Sequence, residues 1–175
     1  ASTPGPPSGL RALKRAAAMR HIQGTALDLF DRNGFDGVTV EQVAVAAEVS
    51  PSSIYRYFGS KEGLIVHDEY DEWLLTAARR HLATHDVLDA VALTFAEVGQ
   101  SHFVDGVGLT LRRLPYLVVP SIRGATHLAV EEVVDELAAE LARPGRVPER
   151  TLIEARTVVC AVLWGLLGAM TAWFE

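Results

Sequence analysis

Residues 39–61 read Thr-Val-Glu-Gln-Val-Ala-Val-Ala-Ala-Glu-Val-Ser-Pro-Ser-Ser-Ile-Tyr-Arg-Tyr-Phe-Gly-Ser-Lys, which spells two short helices joined by a tight turn. Thr39 can N-cap the first helix, with Gln42 three residues on to complete a capping box. Val40, Val43, Ala44 and Ala47 give that helix an apolar face. Ser50 caps the second helix, and Pro51 takes its first position, where the missing amide costs nothing. Ile54 and Phe58, four apart, share a face that must be buried. Ser52, Ser53, Tyr55 and Arg56 are left on other faces, with Tyr57 between. Small hydroxyl residues, aromatics and an Arg at the front of a short second helix suit a helix that enters a DNA major groove. Gly59 ends this helix, Ser60 caps the next, and Lys61 sits in its first turn.

Upstream, residues 10–33 carry a helical stripe of Ile22, Ala26, Leu29 and Phe30 at i, i+4, i+7 and i+8. Gly34 suits the position just past its end, with Phe35 to make the hydrophobic contact that follows such a cap. Residues 1–9, rich in Pro, Gly and Ser, read as a disordered arm. The net charge of −6 over 175 residues is unusual for a DNA binder until it is divided. Residues 1–64 hold seven Lys/Arg and six Asp/Glu, against nine and sixteen in residues 65–175. Arg11, Lys14, Arg15 and Arg20 precede the first acid, Asp28. A basic leading segment on an acidic body is the polarity of a DNA module joined to a second domain.

Over residues 26–64 the chain resembles the TetR (tetracycline-repressor-like) family of transcriptional regulators. The matching features are the Leu29-Phe30 pair followed by Gly34 and Phe35, and Thr39. The Val43-Ala44…Ala47-Glu48-Val49-Ser50 turn and Tyr55…Tyr57-Phe58…Ser60-Lys61…Leu64 complete the match. Glu48 departs from the pattern, which has Gly at a position requiring positive φ; a non-Gly residue there costs about 1 kcal/mol. The resemblance implies an all-α fold, with a three-helix helix-turn-helix domain over 10–62 and a helical ligand-binding and dimerisation domain over 63–175. It implies phosphate contacts from Thr39, Tyr57 and Lys61, and raises that reading for Arg20 and Thr25. It places Pro51, Ser52, Ser53, Tyr55 and Arg56 at or near bases.

Beyond Ser60 the pattern predicts one longer helix through Leu64, Ile65, Tyr70, Trp73, Leu74 and Leu82, ending abruptly near 83–86. Helical patterns follow at 87–103, 109–117 and 122–142, and a final helix runs from Glu149 after the loop at 143–148. Gly106, Gly108, Pro115 and Pro120 supply the breaks. Residues 157–174 are 18 in a row without charge, at the edge of a membrane span. No basic cluster flanks them, and the resemblance supplies another reason for a helix apolar all round: one face in the core, the other on a second subunit. Cys160, the single cysteine, fits a reducing cytoplasm and excludes an internal disulfide.

Nothing in the sequence carries catalysis: there is no nucleophile elbow, no P-loop and no H-E-x-x-H, so neither an enzyme nor a cofactor is expected. His81 and His85 have the spacing for a metal on a continuous helix, but they straddle the expected break. Trp73, His102, Phe103, Tyr116, His127 and Trp164 are the aromatic or polar residues among apolar helices. Each can be plain core filling; as a set they suggest a pocket for a mostly apolar small molecule. The expected function is a homodimeric cytoplasmic regulator of transcription, a repressor that leaves a pseudo-palindromic operator when its effector binds. The alternative is a helical module for nucleic-acid or protein contact without effector control.

Overall fold

The computed structural model describes residues 9–105, 107–145 and 149–173, with the side chains of 99–105, 107, 170, 171 and 173 excepted. All regular structure among the described residues is helical: α1 (Leu10–Asn33), α2 (Val40–Ala46), α3 (Pro51–Phe58), α4 (Gly63–Val66), α5 (Asp71–Leu82), α6 (Val87–Asp105), α7 (Val107–Arg113), a 3-10 turn (Leu114–Val118), α8 (Pro120–Leu141) and α9 (Leu152–Trp173). The helices form two compact units, one of residues 5–71 with 105–126, the other chiefly of residues 72–104 and 127–175. This division departs from the expected boundary between 62 and 63, because the segment around α7 packs with the N-terminal helices.

In the first unit, the stripe predicted on α1 is buried: Ile22 and Ala26 are fully inaccessible and Phe30 nearly so. They meet Val43 of α2, Ile54 and Phe58 of α3 and Leu64 of α4 in one core, which Ile122 at the start of α8 also joins. Each fully buried aliphatic or aromatic side chain of this kind contributes about 1.5–3 kcal/mol relative to exposure. Tyr116 lies on the same core, its ring 5.9 Å from that of Phe30. Its hydroxyl donates to Asp31 at 2.6 Å, and Arg112 donates to Asp28 and Asp31 at 2.8 and 2.6 Å. The Tyr116 hydrogen bond, then the Arg112 one, hold the Asp31 carboxyl below its usual range. Burial and the same carboxylate push the Tyr116 phenol up.

One continuous helix from Ser60 to Leu82 does not form. His67 is extended, with φ −101° and ψ 151°, and α4 is only four residues long. The Asp68 carboxylate accepts from the Tyr70 amide at 2.8 Å, and the Asp71 carboxylate accepts from the Asp68 amide at 3.3 Å. Short acidic side chains that capture nearby amides offer the backbone an alternative to the helical ladder. The Arg113 guanidinium, 7% exposed, donates to the carbonyls of Ile65 and His67 and to the Asp68 carboxylate, the last at 2.7 Å. Gln23 reaches the same place from α1, donating to the carbonyls of Leu64 and His67 at 2.8 and 2.9 Å. Further along, α7 stops at Arg113 and gives way to the 3-10 turn, which contains Pro115. The last helix starts at Leu152 rather than Glu149. A second capping box sets that start: Glu154 accepts from the Thr151 amide at 2.8 Å and Thr151 accepts from the Glu154 amide at 3.3 Å.

The second unit has its own apolar core, with Leu82, Val87, Ala90, Val134, Leu137 and Val159 among its buried members. Arg156 of α9 pairs with Glu131 and Asp135 of α8. The window 152–169 of α9 has a mean hydropathy of 1.7, yet only 11% of it is buried. Leu152 and Ile153 at its start are 58% and 79% exposed.

Replacing Arg113 with Ala leaves the Asp68 carboxylate without its cation and the Ile65 carbonyl without its donor. The expected cost is about 3 kcal/mol, read as a lower urea midpoint with unchanged slope; an unchanged midpoint contradicts this account of α4.

Candidate nucleic-acid interface

The interface begins with the shape of its two short helices. The Thr39 hydroxyl accepts from the Gln42 amide at 3.2 Å, and the Gln42 side chain accepts from the Thr39 amide at 2.8 Å. The predicted capping box is therefore complete, and the Thr39 hydroxyl proton is still available to an outside acceptor. At the far end of α2, the Val49 amide donates to the Ala44 carbonyl at 2.9 Å and the Glu48 amide to the Val45 carbonyl at 3.2 Å. This pair of bonds is a Schellman motif, whose pivotal residue must adopt positive φ. Glu48 does so, with φ 54°, where Gly would carry no Cβ penalty. His21 of α1 braces the turn, its Nε2 lying 3.1 Å from the Ala47 carbonyl oxygen.

Ser50 then caps α3, its hydroxyl accepting from the Ser53 amide at 3.2 Å, with Pro51 next. The same hydroxyl lies 2.9 Å from those of Ser52 and Ser53. Ile54 and Phe58 are buried as predicted, and Pro51, Ser52, Tyr55 and Arg56 are exposed. Ser52, Tyr55 and Arg56 stand at i, i+3 and i+4, a single face opposite the buried pair. Half-buried Ser53 and Tyr57 flank it. Arg56 is parked along its own helix: its guanidinium lies 4.8 Å from the centre of the Tyr57 ring and donates to the Tyr57 hydroxyl at 3.2 Å. Gly59, at φ 73°, ends the helix. Gly63 is held to glycine by space, since a Cβ there would come within 1.8 Å of the Phe58 carbonyl oxygen.

Three of the residues expected at phosphates have internal partners. Lys61 donates to the carbonyls of Phe35 and Val38, both at 3.0 Å, over the Phe35 ring at 4.2 Å. One of its three protons is left for an outside acceptor. Arg20 pairs at 3.0 Å with Glu69, whose side chain is 4% exposed. Stripping a buried carboxylate of its cation is costly, so Arg20 is positioned by Glu69, with guanidinium protons beyond the one it gives Glu69. The Thr25 hydroxyl donates to the His21 carbonyl at 2.9 Å. Sequence reasoning passed over His21, Gln23 and Gly63; the last was visible only as a glycine inside a helical pattern.

Four of the six residues expected to line a pocket have described side chains. Trp73 is buried on α5, and the side chains of His102 and Phe103 lie outside the described residues. Tyr116 is engaged with Phe30 and Asp31 in the first unit. His127, exposed on α8, stacks on Trp164 of α9 at 4.9 Å. A small cavity in the second unit, about 20 Å³, is lined instead by aliphatic residues including Leu82, Val87, Val91, Leu137, Val159 and Leu163. His81 and His85 do not converge on a metal position: Nε2 of His81 lies 2.9 Å from Glu97, and Nδ1 of His85 lies 3.2 Å from the His81 carbonyl oxygen.

Two capped helices, a tight turn and an exposed polar-aromatic face on the second helix define a helix-turn-helix module. Residues 22–67 match the family described as "Bacterial regulatory proteins, tetR family". It is 32% identical over 143 residues to the HTH-type transcriptional regulator TcmR of Streptomyces glaucescens, matching 81% of this chain and 58% of TcmR. The chain thus spans under two thirds of that relative. It is 27% identical to the HTH-type transcriptional regulator BetI of Burkholderia thailandensis, over 92% of this chain and 83% of BetI. The fold is shared with NalD, the secondary repressor of the MexAB-OprM multidrug efflux pump in Pseudomonas aeruginosa. The TM-score is 0.52 at 22% identity, covering 90% of this chain and 83% of NalD.

Glu48→Gly removes the Cβ penalty at φ 54°. It is expected to raise stability by about 1 kcal/mol, seen as a higher denaturation midpoint; an equal or lower one refutes the strain at this turn.

Proposed function

We propose that the chain is a sequence-specific DNA-binding regulator of transcription, acting as a homodimeric repressor. The observation that carries this reading is the face of α3. Ser52, Tyr55 and Arg56 are exposed on a helix whose opposite side, Ile54 and Phe58, is locked in the core. Base edges are read by Ser52, Tyr55 and Arg56, with Pro51 and Ser53 beside them. Arg56 leaves Tyr57 to meet a guanine bidentately. Phosphates are held by the free protons of Thr39 and Lys61 and by the Tyr57 hydroxyl, which fixes register without reading sequence. That the relatives' names are those of transcriptional regulators supports this reading.

Pairing through α8 and α9 answers the exposed apolar surface of α9, 11% buried over its apolar window. A second copy covers it and sets two α3 helices about 34–36 Å apart, one turn of DNA. The effector is a small, mostly apolar molecule in the second unit, entering where the aliphatic cavity between α5, α6, α8 and α9 already lacks polar lining. It lowers operator affinity by as much as it prefers the state in which α3 spacing is wrong.

Selection of bound fragments from genomic DNA tests the reading at fixed salt, since non-specific binding is dominated by phosphates. The wild type is expected to enrich a pseudo-palindrome, and Tyr55→Ala to lose at least about tenfold in affinity for it, one good base contact, with its fold intact. Enrichment of no sequence leaves the alternative, a nucleic-acid or protein contact module. Sedimentation as a monomer at micromolar concentration overturns the pairing, and a panel of apolar metabolites that leaves operator affinity untouched overturns the effector.

A further inference from the structure

The first six residues of α1 are helical without helping to build the core. Burial on α1 begins at Ala16, while Leu10 and Leu13 are 70% and 56% exposed. Arg11 and Lys14 belong to this projecting stretch, and both are exposed. Among the other cations of the N-terminal helices, Arg20 is held by Glu69, Lys61 by two carbonyls and Arg56 by Tyr57, while Arg32 is exposed in the last turn of α1, at the opposite end of the helix. Arg11 and Lys14 make no hydrogen bond, ion pair or ring contact among the described residues. No acid precedes Asp28 to neutralise them within the helix.

Their place on α1 is set by His21, whose ring braces the carbonyl of Ala47, where the turn into α3 begins. Lys14 lies seven residues before His21, on the same face and about 10.5 Å toward the N-terminus. Arg11 is three residues further, adjoining Lys14. The face of α1 that supports the turn therefore continues, past the end of the core, into two unpaired cations.

We propose that Arg11 and Lys14 are a second docking point for DNA, holding backbone phosphates outside the stretch covered by α3. The chemistry is that of long, flexible cations with no protein acceptor, on the side of α1 that carries the reading turn. Such contacts add affinity and salt dependence but no sequence preference. Leu10 and Leu13 fall beside this face, so an anionic lipid surface is the competing occupant, and the test separates the two.

The proposal rests on the DNA-binding reading, and the experiment keeps their failures apart. Full-length wild type and the double variant Arg11→Gln/Lys14→Gln are titrated against two duplexes over a range of salt. One duplex is selected by the wild type from a random pool; the other is its scrambled counterpart. Arg143→Gln/Arg150→Gln, which removes the same charge from the second unit, serves as control. The N-terminal variant is expected to lower the slope of log affinity against log salt by about two per protomer, at about 0.9 per phosphate lost, on both duplexes alike. Its preference for the selected duplex and its circular dichroism stay those of the wild type, and the control keeps the wild-type slope. An unchanged slope, an equal fall in the control, or a loss confined to the selected duplex overturns the proposal. So does a wild type whose binding to phosphatidylserine vesicles, rather than to DNA, is what the variant loses. If the wild type enriches no sequence, the regulatory reading falls, and the slopes on mixed-sequence duplex still decide the role of Arg11 and Lys14.

Discussion

Four residues make a helix with almost no ladder of its own, and α4 is such a helix. The last four carbonyls of any helix lack partners inside it, which for α4 means every carbonyl it has. Donors from elsewhere supply the need: Gln23 from α1 and Arg113 from α7 converge on the carbonyls of Leu64, Ile65 and His67. A cation at a helix C-terminus also meets the negative end of its dipole. These donors hold the chain where it leaves α3 together with Leu64 and Ile65 in the core, at the point where Gly63 lies against the Phe58 carbonyl. The placement of α3 thus draws on Arg113, 55 positions beyond its last residue, Phe58, and α7 belongs with the N-terminal helices.

Charge is distributed on the same logic. The first unit spends its cations on itself: Arg20 on Glu69, Arg112 on Asp28 and Asp31, Arg113 on Asp68. The face of α3 is left with hydroxyls, aromatic rings and one Arg that rests on Tyr57. A face so sparing of charge gains little from phosphates alone, which accords with the proposal that it reads base edges.

Local signals were legible in the sequence wherever both partners lay within a few residues. Thr39 with Gln42, Ser50 with Pro51 and Gly59 stand where the residue types put them, whereas the positive φ of Glu48 was legible only through the family resemblance. The burial of Ile54 and Phe58 followed from their spacing. The break at His67–Tyr70 was hidden because the apolar period of Leu64, Ile65, Tyr70 and Trp73 runs straight through it. Only the amide capture by Asp68 and Asp71 ends the helix there. The Thr151–Glu154 box was readable and was overlooked beside the stronger apolar run after it. Long-range partners left no local trace: nothing near Arg113 announces Asp68, and nothing near Arg20 announces Glu69. Aromatic residues chosen for a pocket were chosen by type alone, which is why Tyr116 proves to be packed on Phe30 instead.

The three serines at the front of α3 have a consequence of a different kind. The hydroxyl of Ser50 stands 2.9 Å from those of both Ser52 and Ser53, and each hydroxyl can turn to donate or to accept. Such a cluster can reverse its polarity by rotating protons, with no movement of heavy atoms. A base edge that offers a donor and one that offers an acceptor are then met at similar cost. If α3 reads base edges as proposed, its binding sites can drift at those base pairs while the protein stays unchanged. Arg56, which can only donate, is the position on this face where that drift would be arrested.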